Sequence, residues 1–398
     1  MNPNWPTKKL VEVCELIRGS EPGSRTYNNK GKGIRFIRVA DISKQQTKPI
    51  WTTGENLVLC KKEDILMAFD GSPGVVFRGI EGAISSGIRI IKPKNREQLL
   101  DDFLFYILQT ENVQKIVKEH TFGTSILHAS KSIPFIQIPV PPLEIQKRIV
   151  ARIEELFEKI DKAKQLREKA LEETEQIFDL YTQNFFREAE NKFPLKKLKE
   201  IAFLKRGPFG GSLKKEIFVE KGYKVYEQKN AIYNDFTLGN YFITEEKYKE
   251  MISFAVKPKD LIVSCSGTIG KAAIVPENAP SGIINQALLK ITPKTEYISS
   301  EYLKVAIESP LIKQRMFPVL GSAIKNVVSV KKIENVLIPL PPLSEQKKIV
   351  AYLDDLREKI EKLKQLQQEQ LEELNELKKS ILEKAFKGEL NYSFNSLF

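Results

Sequence analysis

Histidine is nearly absent from this sequence: His120 and His128 are the only two in 398 residues. No Asp/Glu cluster with metal-ligand spacing accompanies them, which argues against a zinc centre or a histidine-based triad. Cysteine is scarce too. Cys14, Cys60 and Cys265 are odd in number and far apart, so they make neither a disulfide framework nor a C-x-x-C pair and read as buried free thiols. No apolar run approaches the roughly 18 residues of a membrane span, and Met1 to Leu10 lacks the hydrophobic core of a signal peptide. The expectation is a cytoplasmic protein.

Known catalytic loops are missing as well. Gly267-Thr-Ile-Gly-Lys271 looks like a phosphate loop but lacks the spacing between its glycines and the Ser/Thr after its lysine, and Gly207-Pro-Phe-Gly-Gly211 and Gly71-Ser-Pro-Gly74 fail in the same way. These are glycine turns. The paired acids Glu154-Glu155 and Asp354-Asp355 fall at matching points of helical segments and read as solvated faces. No catalytic residue is identified.

What is present is charge, 29% of residues with a net of +12, in a composition typical of a folded soluble protein of two or three domains. The charge is segmental: +6 over residues 1–142, −3 over 143–191, +10 over 192–341 and −1 over 342–398. A repeat explains the alternation. Ile138 to Leu166 matches Ile338 to Leu366 at a constant offset of 200, with 18 of 29 positions identical. Trp5 to Gly19 matches Phe193 to Gly207 with 8 of 15 identical, and Asp64 with the Gly71–Gly74 loop matches Asp260 with Gly267–Gly270. The chain is two tandem copies of one unit, a basic block followed by a charged segment.

The charged segments read as long helices. Ile149, Ile153, Leu156, Ile160 and Ala163 step by heptads and continue through Ala170, Ile177 and Tyr181; Ile349, Leu353, Leu356, Ile360 and Leu363 continue through Leu374, Leu377 and Ile381, interrupted by Gln367 and Gln370. Leu166, Leu171, Phe178, Phe185, Leu366 and Phe386 flank the seam and are expected to face further helices. Each helix follows a proline cluster, Pro139 to Leu143 or Pro339 to Leu343, that cannot be helix interior. The basic blocks carry short β-like runs such as Ile34 to Val39, Gly87 to Ile91 and Leu261 to Ser264, with helices expected over Leu99–Lys118 and Ser299–Arg315.

The twice-occurring signature P-P-L-x-x-Q-[KR]-[KR]-I-V-A, with the order globular block, helix, globular block, helix, resembles the specificity subunit of type I restriction-modification enzymes over essentially the whole chain. Leu377 to Leu390 resembles that family's closing helix. The resemblance implies an α/β fold with long α-helices. Two strand-rich target recognition domains, 1–142 and 192–341, are joined by two long, antiparallel coiled-coil helices, 143–191 and 342–398, in a pseudo-twofold tandem repeat. It implies a non-catalytic subunit that binds an asymmetric bipartite target in double-stranded DNA and scaffolds two modification subunits, with restriction subunits in the full complex. S-adenosylmethionine belongs to the modification subunits, and this chain binds no cofactor. A fused adenine methyltransferase would resemble its own family in a [DNS]-P-P-[YFW] loop, which is missing: the only Pro-Pro pairs precede Leu143 and Leu343.

The residue types that would do this chemistry are Lys and Arg for phosphates, and Arg, Lys, Asn, Gln, Ser and Thr for base edges. In the first block Arg18, Arg25, Tyr27, Asn28, Lys30, Lys32 and Arg35 make a basic, polar, aromatic-bearing set, with Ser72, Thr124 and Ser125 on further loops. In the second, Arg206, Lys214, Lys215, Gln228 and Asn230 occupy comparable territory, with Thr268, Lys271, Lys325 and Asn326 on loops. The alternative is a free-standing sequence-specific DNA-binding protein whose coil dimerises by itself. The two differ in whether the helical seam is satisfied within one chain.

Overall fold

The computed structural model describes residues 5–43, 48–124, 126–208, 210–318 and 329–390. It divides into two units, residues 1–168 with 368–398, and residues 169–367. The cuts fall inside the two long helices, Leu143–Lys192 and Leu343–Lys387, because each helix half packs into a different unit.

The first unit is built on an antiparallel four-stranded sheet ordered Cys14–Arg18, Ile88–Pro93, Ile65–Ala68, Val76–Phe77. Strand alternation sends Ile65, Met67 and Ile91 to one face and Leu66, Ala68 and Ile90 to the other, so both faces carry core. The first face packs on the helices Asp101–Ile107 and Glu111–Glu119 and on the long-helix halves. The second face packs on a five-stranded mixed sheet ordered Tyr27–Asn28, Ile50–Thr52, Ile34–Ile37, Gly82–Ile84, Leu59–Cys60. The one helix expected over Leu99–Lys118 is broken at Thr110, whose hydroxyl donates to Ile107 O at 2.7 Å.

The second unit repeats this plan. Its four strands run Ala202–Arg206, Leu288–Pro293, Leu261–Ser264, Ala272–Ile274, against a three-stranded sheet of Phe242–Ile243, Tyr223–Tyr226 and Gly282–Ile284. Here the expected Ser299–Arg315 helix is split into Ser300–Glu308 and Pro310–Met316, because Pro310 can open a helix but not continue one. In both units a two-stranded ribbon ties the start of the domain to the prolines before the long helix, Thr7–Lys9 to Gln137–Pro139 and Leu195–Lys197 to Leu337–Pro339.

The helix halves pair antiparallel in each unit. In the first, Lys164 Nζ meets Asn375 Oδ1 at 3.3 Å, while Lys378 Nζ meets Asp161 Oδ1 at 2.6 Å and lies over the Phe157 ring. In the second, the rings of Tyr181 and Tyr352 lie 5.9 Å apart and the Arg357 guanidinium covers Phe178.

The register of the seam differs from the heptad expectation beyond Ala163. Ile177, Leu363 and Leu377 are exposed, whereas Leu371 is buried and Phe178 half-buried off the heptad; Thr174 and Gln367, whole heptads from Ile160 and Ile360, stay buried on it. In the first helix the buried Ile149, Ile153, Ile160 and Thr174 keep the heptad, and the packed face then shifts off it to Thr182, Phe186 and Ala189, as the straight-helix period of about 3.6 rather than 3.5 residues requires. Over 50 residues that mismatch carries a heptad position off the packed face. Thr174 tolerates burial because its hydroxyl donates to Ala170 O at 2.7 Å. Phe386, expected to face a further helix, is core: it is 1% exposed and packs edge-on against Phe103.

Candidate nucleic-acid interface

Each domain meets its long helix through a buried glutamine of the repeated signature. Gln146 accepts from Leu100 N at 2.9 Å and donates to Gln98 O and Pro141 O at 2.7 and 2.8 Å. Gln346 accepts from Ser299 N at 2.9 Å and donates to Tyr297 O and Pro341 O at 2.8 and 2.9 Å. Both glutamines are fully buried. Helix and domain are therefore locked at the first turn, and the edges of the four-stranded sheets are held on rigid supports.

In both units the first strand of that sheet ends in Arg-Gly, at Arg18-Gly19 and Arg206-Gly207. The glycine is required by close backbone approach: a Cβ on Gly19 would lie 2.2 Å from Ser85 O, and one on Gly207 1.8 Å from Asn285 O. The registers Arg18↔Arg89, Ala68↔Ile88, Arg206↔Leu289 and Ser264↔Leu288 bring the glycine loops after Ala68 and Ser264 to the same edge as the arginine.

On the first unit's edge, Arg18 Nε donates to Ser86 O at 3.1 Å. Ser86 N and Oγ donate to Glu21 Oε1, both at 3.1 Å, and Tyr27 OH donates to Glu21 Oε2 at 2.8 Å. Burial and the Glu21 carboxylate push the Tyr27 phenol up to about 12, so it stays a donor. Gly71 N donates to Leu127 O at 2.8 Å, and His128 Nδ1 lies 2.7 Å from Asp70 Oδ1, which joins the Ser72 loop to the hairpin that exposes Thr124. Arg18, Tyr27, Ser72 and Thr124 thus share one edge. Arg25, Lys30, Lys32 and Arg35 belong to the five-stranded sheet and its turns; Lys30 and Lys32 are exposed, and Arg35 lines a shallow cavity beside Lys62 and Glu81.

Asn28 is spent on that turn. Its Oδ1 accepts from Lys30 N and Lys32 N at 3.1 Å, and its Nδ2 donates to Lys32 O at 2.9 Å, so its role is to shape the loop that presents the two lysines.

On the second unit's edge, Ser264 Oγ donates to Thr268 O at 2.6 Å and accepts from Lys271 N at 3.0 Å, closing a loop that leaves Thr268 and Lys271 exposed. The Gln228 amide packs against Gly267, and the Arg206 charge is felt at Cys265 in the same loop. Arg206, Gln228, Thr268 and Lys271 therefore converge. Lys214 and Lys215 are exposed on a separate short turn. Asn230 is a correction: it is fully buried, with Oδ1 accepting from Glu227 N and Nδ2 donating to Asp235 O and Leu238 O. A side chain so placed cannot touch a base. Ser125, Lys325 and Asn326 lie outside the described residues.

Residue reading passed over Arg89. The alternation within Gly87 to Ile91 puts Arg89 on the same core face as Ile91, and it is 9% exposed. Its guanidinium lies 4.8 Å over the Phe69 ring, Nη2 donates to Ser130 Oγ at 3.0 Å, and Nη1 has no partner. Burial and the neighbouring Arg18 charge lower its pKa.

Among the described residues, the cysteines are poor nucleophiles. Burial pushes the thiols of Cys60 and Cys265 up to about 11 and that of Cys14 to about 12, which removes them as nucleophiles. Among the described residues no three His, Cys, Asp or Glu side chains group to hold a metal, and no helix is long and apolar enough to cross a membrane.

A family model described as "Type I restriction modification DNA specificity domain" matches residues 2–172 and again 190–373. The chain is 26% identical to the type I restriction enzyme MjaVIII specificity subunit of Methanocaldococcus jannaschii, over 89% of this chain and 86% of that one. It is 22% identical to the EcoBI specificity subunit of Escherichia coli, over 98% and 87%. Among solved structures, a chain from a study of complex assembly and conformational transition of the type I R-M system superposes with a TM-score of 0.64 at 23% identity, covering 98% of this chain and 99% of that one. The HsdS subunit from Thermoanaerobacter tengcongensis superposes at 0.56 and 23% identity, covering 98% of both.

Proposed function

The chain belongs to the type I restriction-modification DNA specificity family, and from that premise we propose that its two sheet edges each read one half of a split, asymmetric DNA target. The protein is the non-catalytic DNA-recognition subunit of a type I restriction-modification system. One observation carries the asymmetric reading: the same edge is built twice on the same framework and furnished differently. Ser72, Thr124 and His128 stand with Arg18 on the first; Thr268, Lys271 and Gln228 stand with Arg206 on the second.

Exposed lysines beside these edges would supply phosphate contacts and a salt-dependent affinity, while the loop side chains would discriminate bases. Modification and restriction subunits are the partners. Two modification subunits per chain, one for each repeat of the long helices, would bring the S-adenosylmethionine chemistry. Self-dimerisation through the coil loses its motive, since the helix halves already pair within the chain.

Exchanging residues 1–142 for the corresponding block of another specificity subunit, in the complex with modification subunits, tests the proposal. Methylation mapping is expected to show one half of the target changed and the other kept; a change in both halves would falsify it.

A further inference from the structure

The first unit's edge carries a feature that phosphate and base-edge contacts do not use. Between residues 122 and 128 the chain turns back on itself, with Phe122 N donating to His128 O at 3.0 Å and His128 N donating to Phe122 O at 2.8 Å. Large apolar side chains stand in solvent on this hairpin: Ile126 is 58% exposed, Phe122 47% and Leu127 40%. Its root is fixed three ways, by Gly71 N to Leu127 O, by the Asp70–His128 pair, and by Ala129 N donating to Phe69 O at 2.7 Å. Apolar side chains held in solvent on a fixed root are costly unless something covers them.

The surroundings say what kind of surface that is. Lys131 Nζ lies 4.8 Å over the Phe122 ring, Arg89 is tied to Ser130 with one donor unpartnered, and Arg18 stands across the strand from Arg89. The nearby carboxylates are engaged, Asp70 by His128 and Glu21 by Ser86 and Tyr27. Exposed apolar side chains with the cation Lys131 on the same hairpin and Arg18 on the same domain complement a stack of bases between two phosphate rails, whereas an apolar protein groove offers no anions for those cations.

We propose that this hairpin is an unstacking wedge: Ile126 and Leu127 enter a base step within or beside the half-site read by the first unit, while the exposed Lys131 and Arg18 neutralise the flanking phosphates. The proposal rests on the DNA reading above and adds a deformation to it. Part of the first unit's sequence choice then comes from how easily a step opens, with flexible pyrimidine–purine steps favoured.

The test uses the complex of the full chain with its modification subunits, on target duplexes carrying 2-aminopurine at successive positions other than the methylated base. Emission is expected to rise about threefold or more at one step of the first half-site, as for other unstacked bases. Ile126→Ser with Leu127→Ser abolishes that rise and leaves non-specific affinity intact, whereas Ile126→Met with Leu127→Met keeps it. Specific binding with flat emission at every position overturns the wedge and leaves the DNA reading standing. Absence of any specific binding by the unaltered complex overturns both. Serines that block assembly with the modification subunits, with the emission rise unchanged in whatever complex forms, overturn the wedge and make the hairpin a protein contact.

Discussion

The two four-stranded sheets differ at several register positions, and at the arginine end the difference is a single cross-strand pair. Arg89 faces Arg18 in the first unit, and Leu289 faces Arg206 in the second. Around that difference the framework is constant. Asp64 accepts from Lys61 N at 2.9 Å and Asp260 from Lys257 N at 2.9 Å, Gly19 and Gly207 meet equivalent carbonyls, and Gln146 and Gln346 make the same three bonds. The positions that repeat are those where backbone geometry or a buried polar group leaves no choice. Divergence occurs both on the exposed loops, where Ser72 stands against Thr268, and inside the core, where Arg89 stands against Leu289.

The sharpest way to break this comparison is to exchange the diverged pair. Leu289 is fully buried in the second core, so Leu289→Arg strands a cation among apolar groups and is expected to cost roughly 4 kcal/mol in urea unfolding. The reverse change, Arg89→Leu, removes a poorly partnered buried cation and is expected to leave stability equal or raise it by about 1 kcal/mol. Equal losses from both changes would mean that Arg89 is a structural residue.

The glutamine locks come next. Gln146→Ala and Gln346→Ala each orphan a buried N–H and two carbonyls, for an expected loss of about 3 kcal/mol apiece. If one variant unfolded readily and the other did not, the two domain–helix junctions would not be equivalent.

A smaller asymmetry lies in the aromatic core. Tyr302 and Tyr226 are fully buried in the second unit, where the first unit has Phe103 and Ile37. Burial holds both phenols neutral, raising Tyr302 and pushing Tyr226 up to about 12 from the ordinary value of 10.0. A pKa raised in the folded state gives stability that is complete below the unfolded pKa and is lost as pH rises through the folded one. The second unit should therefore lose roughly 2 kcal/mol per phenol, about 4 kcal/mol for the two, between about pH 10 and about pH 12. Tyr302→Phe should reduce the loss, and an unchanged alkaline unfolding profile in that variant would remove Tyr302 as a cause.

The smallest effect concerns two neighbouring residues of one helix. Ile177 is exposed and Phe178 lies beneath the Arg357 guanidinium, so Ile177→Ala should change stability by less than about 0.5 kcal/mol and Phe178→Ala by more than about 1 kcal/mol. Reversed magnitudes would restore the heptad seam.

The repeat, the long helices and the strand-rich character of the blocks were legible because each is a one-dimensional pattern: an offset of 200, apolar residues at helical spacing, and prolines that stop one element and admit the next. Glycine loops and terminal arginines were legible as members of an edge because they recur in both copies. The burial of Asn230 was not legible for one reason: an asparagine that would read a base and one that would cap a turn look alike until its partners are in place. Arg89 escaped because alternation says which residues share a face, not whether that face at that point is core or rim.

What the chain of letters determined by itself is therefore the doubling, the order of domain and helix, and the family to which they belong. Only the tertiary structure decided that each long helix divides between two units, that its packed face follows the straight-helix period, and which polar side chains remain free after the fold has taken its share of hydrogen bonds. Periodicity is local and survives in sequence. Burial and hydrogen-bond satisfaction depend on segments as distant as Gln146 and Leu100, or Arg89 and Ser130, and exist only once those segments have met.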